Sequence, residues 1–165
     1  MKLASLHDLY IAELRELYSS EDQILDALPK MIKKATSAEL RAALEHHLDE
    51  TRDHVTRLER VFEMHAEGAK KQKSKGMHGL LEEGSENVER DAAPAVRDAA
   101  IISACQRVEH YEIAAYGSVR TYADQMGHER AAVVLQETLD EERAADQRLT
   151  DLAKNSINVQ ATRTA

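Results

Sequence analysis

Four long stretches of this chain carry an apolar seam at helical spacing, and each seam is interrupted near its middle by residues that bind cations. In the third stretch, steps of four and three run Asp98, Ile102, Cys105, Glu109, Glu112, Tyr116, Val119, Ala123 and Met126. Residues so spaced share one helix face. The first stretch runs Tyr10, Leu14, Leu17, Glu21, Ile24, Leu28, Met31, Ala35, and the second runs Leu40, Leu44, His47, Thr51, His54, Leu58, Val61, with Glu50 at the edge of the stripe. The fourth runs Ala132, Leu135, Leu139, Glu142, Asp146, Leu149, Ala153. A carboxylate taken out of water without a partner costs several kcal/mol or more, so an acid on a buried seam is protonated, ion-paired or bound to a cation.

The interruptions also agree in depth. With one hairpin turning near Thr36, Glu21 lies 15 residues before the turn and Glu50 lies 14 after it. With a second turning near Gly127, Glu112 lies 15 before and Glu142 lies 15 after. At about 1.5 Å of rise per residue, all four carboxylates fall roughly 21 to 23 Å from their turns, on a single layer.

The rest of the chain supports long helices. Six glycines, two prolines and abundant Ala, Leu, Glu and Arg in 165 residues specify an all-α chain. The first helix starts after Ser5, a capping residue with Asp8 three positions on, and reaches about Lys34, with Pro29 expected to kink it or split off its last turn. The second opens at Thr36-Ser37 and continues to about His65; the third opens at Pro94 and stops at Gly127; the fourth runs from about Glu129 to Lys154. Residues 66–93 are broken by Gly68, Gly76, Gly79 and Gly84 and hold a small helix near Met77 to Glu89. A connection of that length lets the second hairpin cross the bundle, which predicts a ferritin-like antiparallel four-helix bundle with one long crossover carrying a short extra helix. Residues 1–157 are expected to form this single domain, and the polar residues 158–165 a C-terminal tail, partly ordered from Asn155 on.

Composition removes several function classes. No run of 18 uncharged apolar residues and no basic-then-apolar leader occurs, so a soluble, cytoplasmic protein without a membrane partner is expected. A formal charge of −8 gives no general attraction for nucleic acid. The single cysteine, Cys105, suits a reducing compartment and reads as a small core residue. Lys70, Lys71, Lys73 and Lys75 read as a solvated loop.

An internal echo accompanies the seams. His47-Leu48-Asp49-Glu50-Thr51-Arg52 resembles Thr138-Leu139-Asp140-Glu141-Glu142-Arg143 at an offset of 91, and the same offset pairs Glu21 with Glu112. Two similar hairpins would build one site at their shared axis. The seam selects Glu142 for that site, whereas the echo selects Glu141 as the mate of Glu50.

Dinuclear metal centres in such bundles take one Glu from each of two helices and a Glu with a nearby His from each of the others. Here Glu21 and Glu109 or Glu112 supply the first pair, Glu50 with His54 the second helix, and Glu142 with Asp146 the fourth, leaving His47 and Asp53 as substitutes for His54. Six acids set against two ions of charge two or three come close to neutrality. Mixed carboxylate and imidazole donors suit iron first and manganese second, with zinc as an in-vitro substitute. In the competing arrangement the acids pair with Arg52, Arg107 or Arg143 and only fix bundle register. Tyr18, Tyr111 and Tyr116 lie close enough to the layer to hydrogen-bond its members, and His46, His65, His78, His110 and His128 are expected at the surface.

Three phrases carry a family resemblance: Leu25-Asp26-Ala27-Leu28-Pro29-Lys30-Met31, the run His47-Leu48-Asp49-Glu50-Thr51 with His54 and Arg57-Leu58-Glu59, and Val108-Glu109-His110-Tyr111-Glu112-Ile113-Ala114-Ala115-Tyr116-Gly117. Together with Leu139-Asp140-Glu141-Glu142 they resemble the bacterial ferritin-like family typified by the stress-induced proteins YciE and YciF, over roughly residues 5 to 155. The resemblance implies a rubrerythrin-related bundle with a dimetal centre, commonly a homodimer, linked to stress. The expected function is dinuclear iron or manganese binding by Glu21, Glu50, His54, Glu109, Glu112, Glu142 and Asp146, with metal-centred redox chemistry on oxygen or peroxide. The alternatives are a subunit of a metal-storage shell and a metal-free helical interaction module; no separate acid–base machinery marks a catalytic residue.

Overall fold

The computed structural model describes residues 3–163, and these form helices joined by short connections, with no strand among them. Helix α1 spans Leu6–Lys34, capped by Ser5, whose hydroxyl accepts from the Asp8 amide. Pro29 does not split it; the ring lies in the penultimate turn on an exposed face, and the helix continues to Lys34. Helix α2 spans Ala38–Met64 behind the Ser37 cap, α4 spans Pro94–Gln125 with proline at its first turn, and α5 spans Glu129–Leu152. Helix α3, Lys75–Glu89, lies within the crossover.

Helix α1 packs on α2 and α4, and α5 packs on α2 and α4, so each of these four helices has two neighbours and the crossover returns the chain along the bundle. The course of that return is fixed by contacts to α1: the Gln72 amide donates to the Arg15 carbonyl, Gln23 donates to the Ser74 carbonyl, and Lys34 pairs with Glu89. Helix α3 is seated by two glycines. A Cβ at Gly76 would come within 2.8 Å of the Tyr111 ring, and one at Gly84 within 3.1 Å of the Ala104 methyl.

The hairpin turns are pinned differently at the two ends. At one, the buried Asp98 carboxylate near the start of α4 accepts from the Thr36 amide (2.8 Å), the Thr36 hydroxyl (2.6 Å) and the Ser37 amide (2.8 Å), which ties α4 to the α1–α2 turn. At the other, Gly127 takes a positive φ of 74° to turn α4 into α5, and the rings of His7, Tyr10, His65 and His128 pack together. The chain stays helical beyond Lys154, through a wider π turn at Ala153–Ile157 with Ile157 buried, and then one turn, α6, at Asn158–Ala161 against α4. Of the C-terminal tail expected at 158–165, the last two residues lie outside the described part. No described helix is long and apolar enough to cross a membrane.

The core is in two pieces. Tyr10, Leu14, Leu58, Phe62, Val119 and Leu135 lead one apolar cluster toward the Gly127 end, and Ile24, Leu28, Leu40, Leu44, Ile101 and Leu149 lead another toward the Asp98 end. Between them lies the layer of acids and histidines.

Candidate metal centre

Six side chains from the four bundle helices meet in that layer. Glu21 comes from α1, His47 and His54 from α2, Glu109 and Glu112 from α4, and Glu142 from α5; all are buried. Donor atoms of His47, Glu109, Glu112 and Glu142 lie within 4.8 Å of one another, and so do those of Glu21, His54 and Glu142. Glu142 is common to both groups. His54 Nδ1 stands 3.0 Å from Glu142 Oε1 and 3.5 Å from Glu21 Oε1, while His47 Nε2 stands 3.4 Å from Glu109 Oε1. The Tyr116 hydroxyl donates to Glu21 Oε1, so of the three tyrosines noted in sequence this one touches the layer. Tyr18 instead donates to Glu59, and Tyr111 meets Ser74.

Each histidine has one nitrogen toward the cluster and the other toward an outer carboxylate. His54 Nε2 faces Glu141 Oε2 at 2.9 Å, and Arg57 holds that carboxylate from Nη2 at 2.8 Å. His47 Nδ1 faces Glu50 Oε2 at 3.5 Å, and Arg148 donates to the same oxygen at 2.6 Å. A carboxylate behind an imidazole selects the tautomer and fixes the ring, the arrangement that supports metal-ligating histidines.

The electrostatics show a layer without enough positive charge. Burial, joined by repulsion from Glu142, holds the Glu109 carboxyl well above the usual carboxylate range, and burial with repulsion from Glu21 does the same to Glu112. Burial works against a charged His54, but attraction to Glu21 and contacts with Glu141 and Glu142 push its pKa up to about 12. Glu141 is held down to about 2 by His54 and Arg57. For Glu142 burial again opposes the charge, yet the Glu109 carboxyl and the two histidines keep it ionised. Buried donor atoms nonetheless make no hydrogen bond: Glu21 Oε2, both His47 nitrogens, Glu109 Oε2, both oxygens of Glu112 and Glu142 Oε2. Buried polar atoms in native proteins almost always find partners, so a cluster of orphans aimed at one another fits a cation. The residues therefore pass as a metal site by donor chemistry and by unmet valence.

Five residues expected from sequence are brought together: Glu21, His54, Glu109, Glu112 and Glu142. His47, expected only as a substitute for His54, joins alongside it, and the signal was present because both lie on one seam. Glu50 stays outside the cluster, bound by Arg148 and near His46 Nε2 at 3.2 Å. Asp146 also lies outside; it accepts from Gln106 Nε2 at 2.9 Å and faces His110 at 3.4 Å. Asp53 is exposed. Arg52, Arg107 and Arg143 pair with Asp49, Glu83 and Asp140 at the surface and leave the layer untouched.

The sequence profile of the family described as "Domain of unknown function (DUF892)" matches residues 5–162. The chain belongs to the DUF892 family. Among DUF892 relatives, it is 42% identical over 162 residues to the protein YciF of Escherichia coli K12, covering 98% of each chain. The crystal structure of that E. coli stress protein superimposes with a TM-score of 0.90 over 94% of this chain and 98% of the other. The Rhodopseudomonas palustris protein YcfI matches at 38% identity and a TM-score of 0.89, covering 90% and 95%. A Xanthomonas campestris protein at 16% identity and a TM-score of 0.76 shares the fold. The family resemblance read in the central Val108–Gly117 phrase is thereby confirmed.

Proposed function

We propose that this DUF892 protein binds two metal ions, iron in preference and manganese as the alternative, in the layer between its two cores and serves a cytoplasmic stress response. The observation that carries the reading is the sharing of Glu142 between two adjacent donor groups, as a bridging ligand would be shared. His47, Glu109 and Glu112 would complete one ion's set, and Glu21 with His54 the other's. Four carboxylates set against two divalent ions balance to neutrality, which removes the cause of the protons retained on Glu109 and Glu112. The stress role is supported by the likeness to YciF, which is described as a stress protein.

Bound ions of this kind would supply one-electron chemistry toward dioxygen or hydrogen peroxide. The chain's own part is positional. Glu141 would hold the His54 ring with a proton on the outward nitrogen, leaving the inward nitrogen to donate its lone pair, and Glu50 stands 3.5 Å behind the His47 ring, placed to do the same when that ring engages an ion. Tyr116 fixes the orientation of Glu21 through its hydroxyl. The apolar clusters above and below keep bulk water out, which strengthens every charge interaction inside.

Elemental analysis of protein expressed with iron and manganese available tests the proposal. Two ions per chain, with an optical change when the reduced protein meets peroxide, is the expected result. A folded protein that retains no metal under reducing, iron-replete conditions sinks it.

A further inference from the structure

A narrow slot opens beneath α3 and ends at the His47–Glu109 edge of the layer. Its walls include Ala27 and Met31 of α1, Leu81 of α3, and Ala104 and Cys105 of α4, and the polar residues lining it are His47 and Glu109 alone. It encloses about 20 Å³, room for a single molecule the size of water. Water needs two to four polar partners to remain in such a space, whereas dry apolar cavities take up uncharged guests such as xenon. Once an ion engages His47 and Glu109, the walls of the slot offer water no hydrogen-bonding side chain.

A second and smaller opening reaches the same two residues from the opposite side, between α2 and α5, and is lined by Ala43, Leu44, Ala145, Arg148 and Leu149. It holds a charge, the Arg148 guanidinium that clamps Glu50. The His47–Glu109 pair is therefore reached by one charged path and one apolar path. The Cys105 thiol does not alter the apolar character, because burial pushes its pKa up to about 12 and keeps it neutral.

We infer that the slot beneath α3 is a binding site for one small uncharged molecule of dioxygen size, delivered to the His47–Glu109 edge of the metal layer. The inference rests on the metal-centre reading for its role, but the slot can be measured without it. Dioxygen is paramagnetic and speeds the relaxation of methyl groups that it touches, so the zinc-loaded, diamagnetic protein under dioxygen pressure reports the site directly. The methyls of Ala27, Leu81 and Ala104 are expected to relax several-fold faster than those of Leu14 and Leu135 in the other core. In Ala27→Leu, which fills the slot from α1, the excess at Leu81 and Ala104 should vanish while the zinc content stays that of the parent.

Equal relaxation of slot and core methyls in the parent protein overturns the inference, as does an excess that survives Ala27→Leu. If that variant does not fold, the comparison within the parent protein decides alone. Zinc content measured on the same sample separates the two readings. A slot that takes dioxygen in a chain that binds no ion leaves the site standing and removes the metal centre.

Discussion

Arg148 of α5 donates to Glu50 of α2 at 2.6 Å, and the two residues related to this pair by the offset of 91, Arg57 of α2 and Glu141 of α5, make the same contact. The two clamps cross the same helix interface in opposite directions. Each holds the carboxylate that backs one buried histidine, so the internal echo in the sequence maps onto the support of the layer as well as onto its Glu21–Glu112 pair. Among the inner donors Glu21 and Glu112 keep the echo, whereas the histidines break it, because the positions 91 after His47 and His54 are Thr138 and Ala145.

Neutralising an outer carboxylate should weaken metal binding without removing an ion. Loss of such a support commonly costs about 10 to 100-fold in affinity. Glu141→Gln is expected to show the larger effect, because Glu141 lies 2.9 Å from its histidine whereas Glu50 lies 3.5 Å from His47. Competition titrations with a chelator measure both. Loss of one full ion in Glu50→Gln would instead make Glu50 an inner ligand.

The shared position of Glu142 predicts an asymmetry among truncations. Glu142→Ala should lose both ions, whereas Glu21→Ala should lose the ion on the His54 side and keep the other. Metal-to-protein ratios after gel filtration provide the check; equal losses in the two variants would contradict the sharing.

Affinity should rise with pH. In the metal-free protein burial keeps protons on Glu109 and Glu112 and the surrounding acids keep one on His54. Ions must displace them, so binding releases protons and strengthens as protons become scarce. Calorimetry in buffers of different ionisation enthalpy should show net proton release; proton uptake would refute the assignment of these groups.

Glu141 contributes to folding stability in the same direction, at lower pH. Its folded pKa of about 2 lies below the ordinary 4.5, so its contribution is present above pH 4.5 and is lost as the pH falls toward 2. Glu141 is one-third exposed, so the effect is modest. Denaturant unfolding of Glu141→Gln should show a shallower loss of stability between those pH values than the parent. An unchanged slope would mean that the Arg57 clamp does not act on folding.

Added metal should raise the melting temperature. An ion at a thousand times its Kd stabilises by about 4 kcal/mol, which for a chain of this size corresponds to roughly 8 to 16 °C. Thermal melts with and without chelator read this, and coincident curves would show that the folded state holds no ion.

The seams made the bundle legible because apolar residues at a period near 3.6 specify both helix and inward face, and Glu142 and the Glu109–Glu112 pair were visible on those faces. Glu50 was not placed by the same signal. At the edge of a stripe, one residue step turns a side chain by about 100°, and whether it points inward depends on what the next helix offers. What α5 offers is Arg148, 98 residues away, and α2 alone holds no trace of it. Asp146 failed for a similar reason, since Gln106 of α4 takes its carboxylate one turn beyond the layer. The helical extension beyond Lys154, through Ala161, was hidden by its polarity, with Ile157 as its one buried residue.

The acid layer also bears on cooperativity. Two apolar clusters separated by a layer of buried acids and histidines with unmet hydrogen-bonding atoms are coupled mainly through helix backbones, and without a cation the layer is where the molecule comes apart most cheaply. Ions gripped by all four helices would rivet the two halves into one unfolding unit. Hydrogen exchange would then report two protected blocks with different opening energies in the metal-free chain and a single block in the loaded one. Metal in this fold would thus decide how many independently melting pieces the molecule has.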